Sequence, residues 1–460
     1  MRPPDQRLSA IARLVAFAAA RAWLVAALGL VLAVLAVGYV VGHFSMNTNT
    51  DALLSPDLPY RKSEAAFAKL FPQSDTQVVV VIDAKTPELA EEAAAGLAAK
   101  LASDPTMFPS VQRPDGGPYI AQEGLLFAPY DTVKKVHDSL ISAGPFLGPM
   151  AADPSLRGVM NSLATVLQGV KAGQTSLSQL STPMSRLADA LATLEAGKPA
   201  QFSWLGMITG APDPSQLRKL ILVNPTLDYA ALEPGAQASE DIREDAKSLG
   251  FDEAHGVRVR LTGPVPLQDE EFGTLAERAL PIALAAFAAI VLMLWLAVRS
   301  PKVIAAILLT TLVGLASAAA LGLVIFGSFN VISIAFIPLF VGLGIDFGIQ
   351  LSVRYRAEHR VGRSLRQALT DAGQAMGQPL ALAASAIAAG FLAFAPTAYH
   401  GVSQLGVIAG GGMLIALALN LTLLPALIEI LKPKPAPVRS PQWAINRLDR
   451  LILANRWRVV

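Results

Sequence analysis

One carboxylate, Asp346, stands in the apolar run from Phe329 to Val353, in the string IPLFVGLGIDFGIQLSV, with no other charged residue in that run. An ionised Asp at the centre of a bilayer costs roughly 2.5 to 3.5 kcal/mol on insertion scales, so such a group is expected to be neutral, paired or open to a hydrated cavity. Proton exchange is the chemistry this offers. The competing reading is a protonated Asp that only hydrogen-bonds a neighbouring helix. Gly342, Asp346 and Gln350 recur every four residues, which sets them on one face of a helix. Gly344 and Gly348 form a GxxxG pair on roughly the opposite face, so the small residues Gly342, Gly344 and Gly348 are expected to let the helix pack closely on both sides. Gln350 and, one span further on, Ser385 are the polar neighbours available to Asp346 in a relay. Pro338, one to two turns before the aspartate, is expected to kink the helix.

The elements that hold this group are membrane spans. The hydrophobic fraction is 53%, charged residues make up 16%, and the mean hydropathy is +0.47. Runs of the roughly 20 apolar residues needed to cross a bilayer lie near Trp23 to Val41, Leu280 to Val298, Val303 to Phe326, Phe329 to Val353, Pro379 to Ala395 and Gln404 to Leu431. The first has a long apolar core and no clear small-x-small cleavage site before the polar sequence after Gly42, and reads as a retained span. Lys and Arg cluster before the first span, at Arg299 and Lys302, from Arg354 to Arg366, and at Lys432, Lys434 and Arg439. The loops at Gly327 to Phe329 and Thr397 to Gly401 carry none. By the positive-inside rule the termini are cytoplasmic. The expected organisation is a cytoplasmic segment 1–22, a span 23–42, a periplasmic domain 43–278, five spans in 279–431, a cytoplasmic linker 432–450, and the start of a truncated seventh span in 451–460.

Charge divides along the same boundaries. Residues 43–278 hold 19 basic and 29 acidic residues, against 18 and 6 in the remainder. An acidic outer domain on a basic membrane base suits anionic lipid headgroups and argues against nucleic acid as a partner. The chain has no Cys, which excludes disulfides and thiolate metal sites. In the outer domain, Gln77 to Asp83 reads as a buried strand, Pro87 to Ser103 as a helix and Val257 to Thr262 as an alternating strand. Leu156 to Leu194 carries apolar residues at three- and four-residue steps and reads as helical. This stripe, with Phe202 and Trp204, either packs on the α/β core or lines a conduit for a lipid. Arg354 to Gly373 reads as a basic amphipathic helix that anchors to the inner leaflet or couples the spans.

Residues 10–25 (AIARLVAFAAARAWLV) align with 444–459 (AINRLDRLILANRWRV) at an offset of 434, just after the basic, proline-rich KPKPAPVRSP. This repeat predicts that the chain is one half of a protein with two parallel repeats. One span, a large outer loop and five more spans resemble the half-unit of the resistance-nodulation-division (RND) superfamily. VGLGIDFGIQLSVRYRAE is similar to the aspartate-bearing fourth span of its MmpL-like branch, and the run AGFLAFAPTAYHGVSQLGVIAGGGMLIALALNLTLLPALIEI resembles that branch's fifth and sixth spans. LLSPDLPYRKSEAAFAKLFPQ, PFLGPMAADPSLRGVM, FSWLGM and VRVRLTGPVPLQDEEF resemble its hopanoid-exporting members. The likeness covers essentially the whole chain.

The resemblance implies a polytopic α-helical membrane protein of the bacterial inner membrane with a large α/β periplasmic domain. It implies a secondary transporter rather than an enzyme: an exporter driven by the proton-motive force, with hopanoids or another polycyclic lipid as cargo. Protons and membrane lipids are its partners, no cofactor is required, and a homodimer is compatible with it. Asp346 is then the proton relay, completed by polar groups of a second repeat. Rival readings meet the same residues. GLGID is one residue out of register with the GxGD pattern of intramembrane aspartyl proteases, and no second carboxylate lies in the core of a span. No G-x-x-x-x-G-K-[ST] loop supports ATP-driven pumping. A sterol-sensing lipid receptor shares the fold and is separated from a transporter by dependence on the proton gradient.

Overall fold

The computed structural model describes residues 8–71, 76–153, 155–173, 176, 178–197, 203, 214–359 and 362–435. Phe202, Trp204, most of the 432–450 linker and the whole 444–460 repeat lie outside the described residues. The contacts divide the chain into two compact units, 1–62 with 276–460 and 63–275. The division falls inside the expected 43–278 segment, because residues 44–62 make their contacts with the loops of the membrane unit.

The membrane unit begins with α1 (Ala10–Ala20). Ser9 caps it by accepting a hydrogen bond from Ala12 N. Arg21, at φ −108° and ψ 40°, breaks the helix before α2 (Ala22–His43), the first span. The described part of the expected cytoplasmic segment, residues 8–22, is thus largely helical. One face of α1, carrying Ala12, Val15 and Ala19, is buried. Further along the chain come α10 (Pro264–Val298), α11 (Pro301–Phe326), α12 (Phe336–Glu358), α13 (Leu365–Leu392), and α14 (His400–Leu421) running on into α15 (Leu423–Leu431). Six helices are long and apolar enough to cross a membrane among the described residues, so the chain is a multi-pass membrane protein. Two spans are longer than their apolar runs. The fifth begins at Leu365 and carries Pro379 within it, and α10 carries Pro281. A membrane helix tolerates such a Pro because neighbouring groups satisfy the freed carbonyl.

Three hydroxyls of the third span have a local solution. Thr310, Thr311 and Ser317 of α11 donate to the carbonyls of Ala306, Ile307 and Val313, four residues back, at 2.8, 3.0 and 2.7 Å. Gly327 ends α11 in the left-handed region at φ 76°, where glycine carries no Cβ penalty. At this end of the unit β1 (Met46–Asn47) pairs in parallel with β6 (Phe329–Asn330), Ser55 N donates to Ala398 O at 2.9 Å, and Leu54 bridges Tyr399. The segment after the first span is therefore fixed to both loops that lack Lys and Arg. At the opposite end the basic residues gather. Arg354 and Arg363 pair with Glu358 at 2.8 and 3.0 Å, Arg363 also reaches Asp371 at 3.1 Å, and Arg366 pairs with Glu429 at 2.9 Å. The expected continuous helix from Arg354 to Gly373 does not form. Helix α12 ends at Glu358, and α13 starts after its Ser364 cap.

The second unit contains a four-stranded antiparallel sheet in the order β3 (Ser110–Gln112), β4 (Arg218–Asn224), β2 (Val78–Ala84), β5 (Val257–Thr262). Strand β2 alternates buried and half-buried residues along VVVVIDA. Its inward Val78, Val80 and Ile82 meet α4 (Pro87–Ala102) and α9 (Ala236–Ser248) in one core. The β-α-β…β-α-β order, with the fourth strand beside the first, is the split βαβ arrangement. Between β3 and β4 the chain inserts a short α5 (Pro118–Glu123) and the longer α6 (Tyr130–Ala152), α7 (Leu156–Lys171) and α8 (Ser178–Glu195). The periodic stripe from Leu156 to Leu194 is thus two helices, broken after Lys171. Val159 and Leu163 are buried with Val166 and Val170 against them, whereas Leu167, Met184, Leu191 and Leu194 are exposed.

Candidate functional site

Asp346 sits in the middle of α12. A short 3-10 turn, Ser333–Ala335, leads into this helix, and Pro338 falls in its first turn. There the missing N–H has no intrahelical partner to lose, so Pro338 helps start the helix instead of kinking it. The faces of α12 are sharply different. Phe340, Gly344, Phe347, Gly348, Leu351 and Tyr355 are buried. Leu339, Gly342, Asp346 and Val353 are exposed, with Gln350 half-buried among them, so an open stripe runs along the helix.

The two glycine sets fall on these two faces. A Cβ added at Gly348 would lie 3.0 Å from Ile307 Cγ2 and 3.1 Å from Asn420 Oδ1, and one at Gly344 would touch Phe340 and Ala416. A Cβ at Gly342 would meet nothing within 4 Å. Small residues at 344 and 348 admit α11 and α14 closely, while Gly342 keeps the stripe beside Asp346 free of a side chain.

Gln350 Nε2 donates to Asp346 Oδ2 at 2.8 Å, one turn along the same face. The amide oxygen of Gln350 remains available to accept, so the pair can exchange donors and acceptors with a group arriving on the stripe. Ser385 is exposed on α13 and makes no hydrogen bond to Asp346. The structure thus brings Gln350 to the carboxylate and leaves Ser385 apart from it.

Three polar arrangements were not singled out from the sequence. Asn420, buried on α14, donates to Ala416 O at 2.8 Å and reaches Gly344 O at 3.4 Å, which ties the aspartate helix to the sixth span. Asn420 is a lone amide in an apolar run, the same signal that marks Asp346. The second arrangement lies at the end bearing β6. Asn330 Nδ2 donates to Gln404 Oε1, Gln404 Nε2 donates to Ser328 O, and Asn330 Oδ1 accepts from Ser333 N at 2.7 Å. At the basic end, Tyr355 Oη lies 3.0 Å from His359 Nδ1 with the rings stacked. Burial, reinforced by the Arg356 charge, holds the His359 imidazole below its ordinary value.

The Asp346 carboxyl, paired with the Gln350 amide, thus lies on the open side of a span whose other side is sealed. Comparison with known proteins places the chain in a family. Residues 152–460 match the MMPL family, and the chain belongs to that family. It is similar to the hopanoid transporter HpnN of Rhodopseudomonas palustris (strain TIE-1), with 42% identity over 407 residues, covering 88% of this chain and 47% of that protein. It is also similar to the hopanoid transporter HpnN of Burkholderia multivorans (strain ATCC 17616 / 249), with 40% identity over 436 residues, 94% of this chain and 50% of that protein. The chain spans about half the length of the curated relatives it matches.

Proposed function

We propose that this chain is the first repeat of an RND-type exporter. On this reading it uses the proton-motive force to move hopanoids out of the bacterial inner membrane towards the outer membrane, with the split βαβ unit in the periplasm. The observation that carries the reading is the Asp346–Gln350 pair on the open stripe of α12, at 2.8 Å. The relatives named as hopanoid transporters support the cargo. The gathering of Lys and Arg at one end of the membrane unit supports the orientation.

The mechanism follows from the two faces of α12. The buried face, held by Gly344, Gly348 and Asn420, moves with α11 and α14. The open face meets a helix of the second repeat. With Asp346 ionised, the stripe needs water or a cationic or donor partner; with Asp346 neutral, it can close on an apolar neighbour. Protonation from one side and release to the other therefore alternates the contact. A proton falling through the membrane potential releases about 2.3 kcal/mol per 100 mV. Near-complete switching between two states takes about 5.5 kcal/mol, which two protons at an ordinary potential approach.

The test is gradient-driven hopanoid export by the full-length protein in proteoliposomes. Asp346→Asn preserves volume and hydrogen bonding but cannot carry a proton. Export is expected to vanish in the Asn variant at unchanged expression and melting temperature. Gradient-dependent export equal to the parent would remove Asp346 as the relay.

A further inference from the structure

The basic end of the membrane unit contains a cleft of about 470 Å³ where the α1–α2 break meets the start of α13 and the end of α15. Arg21, Trp23, Arg366, Glu429 and Lys432 line it. Three cations and one carboxylate leave a net charge of +2, and the way these groups are committed leaves most of the cationic donors unused.

Arg366 Nε donates to Glu429 Oε1 at 2.9 Å. That contact uses one edge of the guanidinium, and its two terminal NH2 groups have no partner among the described residues. Lys432 takes the left-handed position that ends α15, at φ 44°, with its side chain exposed. The adjacent carbonyl, Leu431 O, already accepts from Lys302 Nζ at 2.8 Å, so Lys432 is not needed as a cap. Arg21 occupies the break between α1 and α2, is exposed, and has no ion-pair partner among the described residues. Trp23 is 76% exposed at the start of the first span, the level at which indoles meet lipid headgroups.

We propose that this cleft binds a phosphate group, through Arg21, Arg366 and Lys432, with an anionic phospholipid as its source. Planar guanidinium forks match phosphate oxygens bidentately, and an ammonium adds a point charge. The cleft opens where membrane-spanning helices end, beside an interfacial Trp and the exposed Leu24, so the acyl chains of a bound lipid have apolar helix to lie against. Occupation would bridge the α1–α2 break to the ends of α13 and α15. It would thereby hold α1 on α13, where Val15 and Ile11 fit over Gly373 and Gly377 and Ser9 N donates to Gln374 Oε1 at 2.8 Å. The site lies apart from Asp346 and does not depend on the identity of the cargo.

The experiment is a titration of the full-length protein in neutral detergent with phosphatidylglycerol, read by native mass spectrometry, with inorganic phosphate as competitor. The double variant R21Q/K432N removes two cations without breaking the Arg366–Glu429 pair, and Asn suits the left-handed position at 432. At about 1 kcal/mol for each basic residue beside an anionic lipid, phosphatidylglycerol affinity is expected to fall roughly 30-fold. R21K/K432R, which keeps both charges, should stay within a few-fold of the parent. Resistance of the bound lipid to millimolar inorganic phosphate supports the lipid as source, and ready displacement supports a free phosphate ion at the same cleft. Should the double variant be unstable, K432N alone should weaken binding about fivefold. Unchanged phosphatidylglycerol affinity in the charge-removing variants would overturn the proposal.

Discussion

Replacing Gly406 by Ala tests how tightly the fifth and sixth spans are locked. Gly406 is buried on α14, and a Cβ there would lie 2.4 Å from the carbonyl oxygen of Phe391 and 3.1 Å from Phe394 Cβ on the fifth-span side. Ordinary carbon–oxygen contacts begin near 3.3 Å, so α13 and α14 must separate by about 0.9 Å. A backbone oxygen has no rotamer by which to escape. A gap of this size forfeits about a quarter to a half of each dispersion contact along the seam, and overpacking of this kind costs typically 1 to 3 kcal/mol. Against it stands a gain of about 1 kcal/mol from replacing Gly by Ala in a helix. Because the backbone oxygen cannot move aside, the upper end of that cost applies, and the expected net loss is about 2 kcal/mol. Gly38→Ala is the control, because a Cβ there meets nothing within 4 Å, and only the propensity gain applies. The assay is equilibrium unfolding of the full-length protein in mixed micelles with increasing SDS. Equal or raised stability of Gly406→Ala would refute the close contact of α13 with α14.

Asn420→Ala removes the amide that joins α14 to Gly344 and should destabilise the membrane unit by about 1 to 3 kcal/mol in the same assay. In the second unit, burial pulls the Asp83 carboxyl upward, but the hydrogen bonds and charges of Arg218 and Arg260 outweigh it and hold the group below its ordinary 3.8. A depressed carboxylate stabilises the fold above that value and loses the contribution as pH falls through the lower folded one. Protection factors for hydrogen exchange at residues 78–84, corrected for the intrinsic rate, should therefore fall below about pH 4, and Asp83→Asn should flatten this dependence. His359, held below its ordinary 6.5, stabilises the fold while neutral. Its contribution should fade as pH drops below 6.5, and His359→Gln should blunt the loss of stability between neutral and mildly acidic pH.

The spans were legible because twenty-residue apolar runs have no competing reading in a chain this hydrophobic. Their ends were less so. The helix of the fifth span extends back to Leu365 through Pro379, and that of the second span back to Pro264, because tertiary contacts and polar residues extend helices that hydropathy alone cuts short. Strand β2 announced itself by its run of valines, whereas β4, RKLILVN, and helix α9 passed unremarked. The pairing of β4 with β2 joins residues some 140 positions apart, and no local pattern marks which strands meet across the helical insertion. Asp346 and Gln350 came from spacing alone, since a four-residue step fixes a shared helix face. What spacing could not give is which face is sealed. That depends on Ile307, Ala416 and Asn420, on other helices.

Binding and release of the transported proton by the Asp346 carboxyl, as proposed above, can be read by infrared difference spectroscopy on the reconstituted full-length protein. A protonated carboxyl in a membrane interior has a C=O stretching band that its ionised form lacks. The acid-minus-base spectrum of the parent should contain such a band. That band should be missing from Asp346→Asn and displaced in Gln350→Leu, which removes the 2.8 Å donor. Superimposable difference spectra of the parent and the Asn variant would contradict the account.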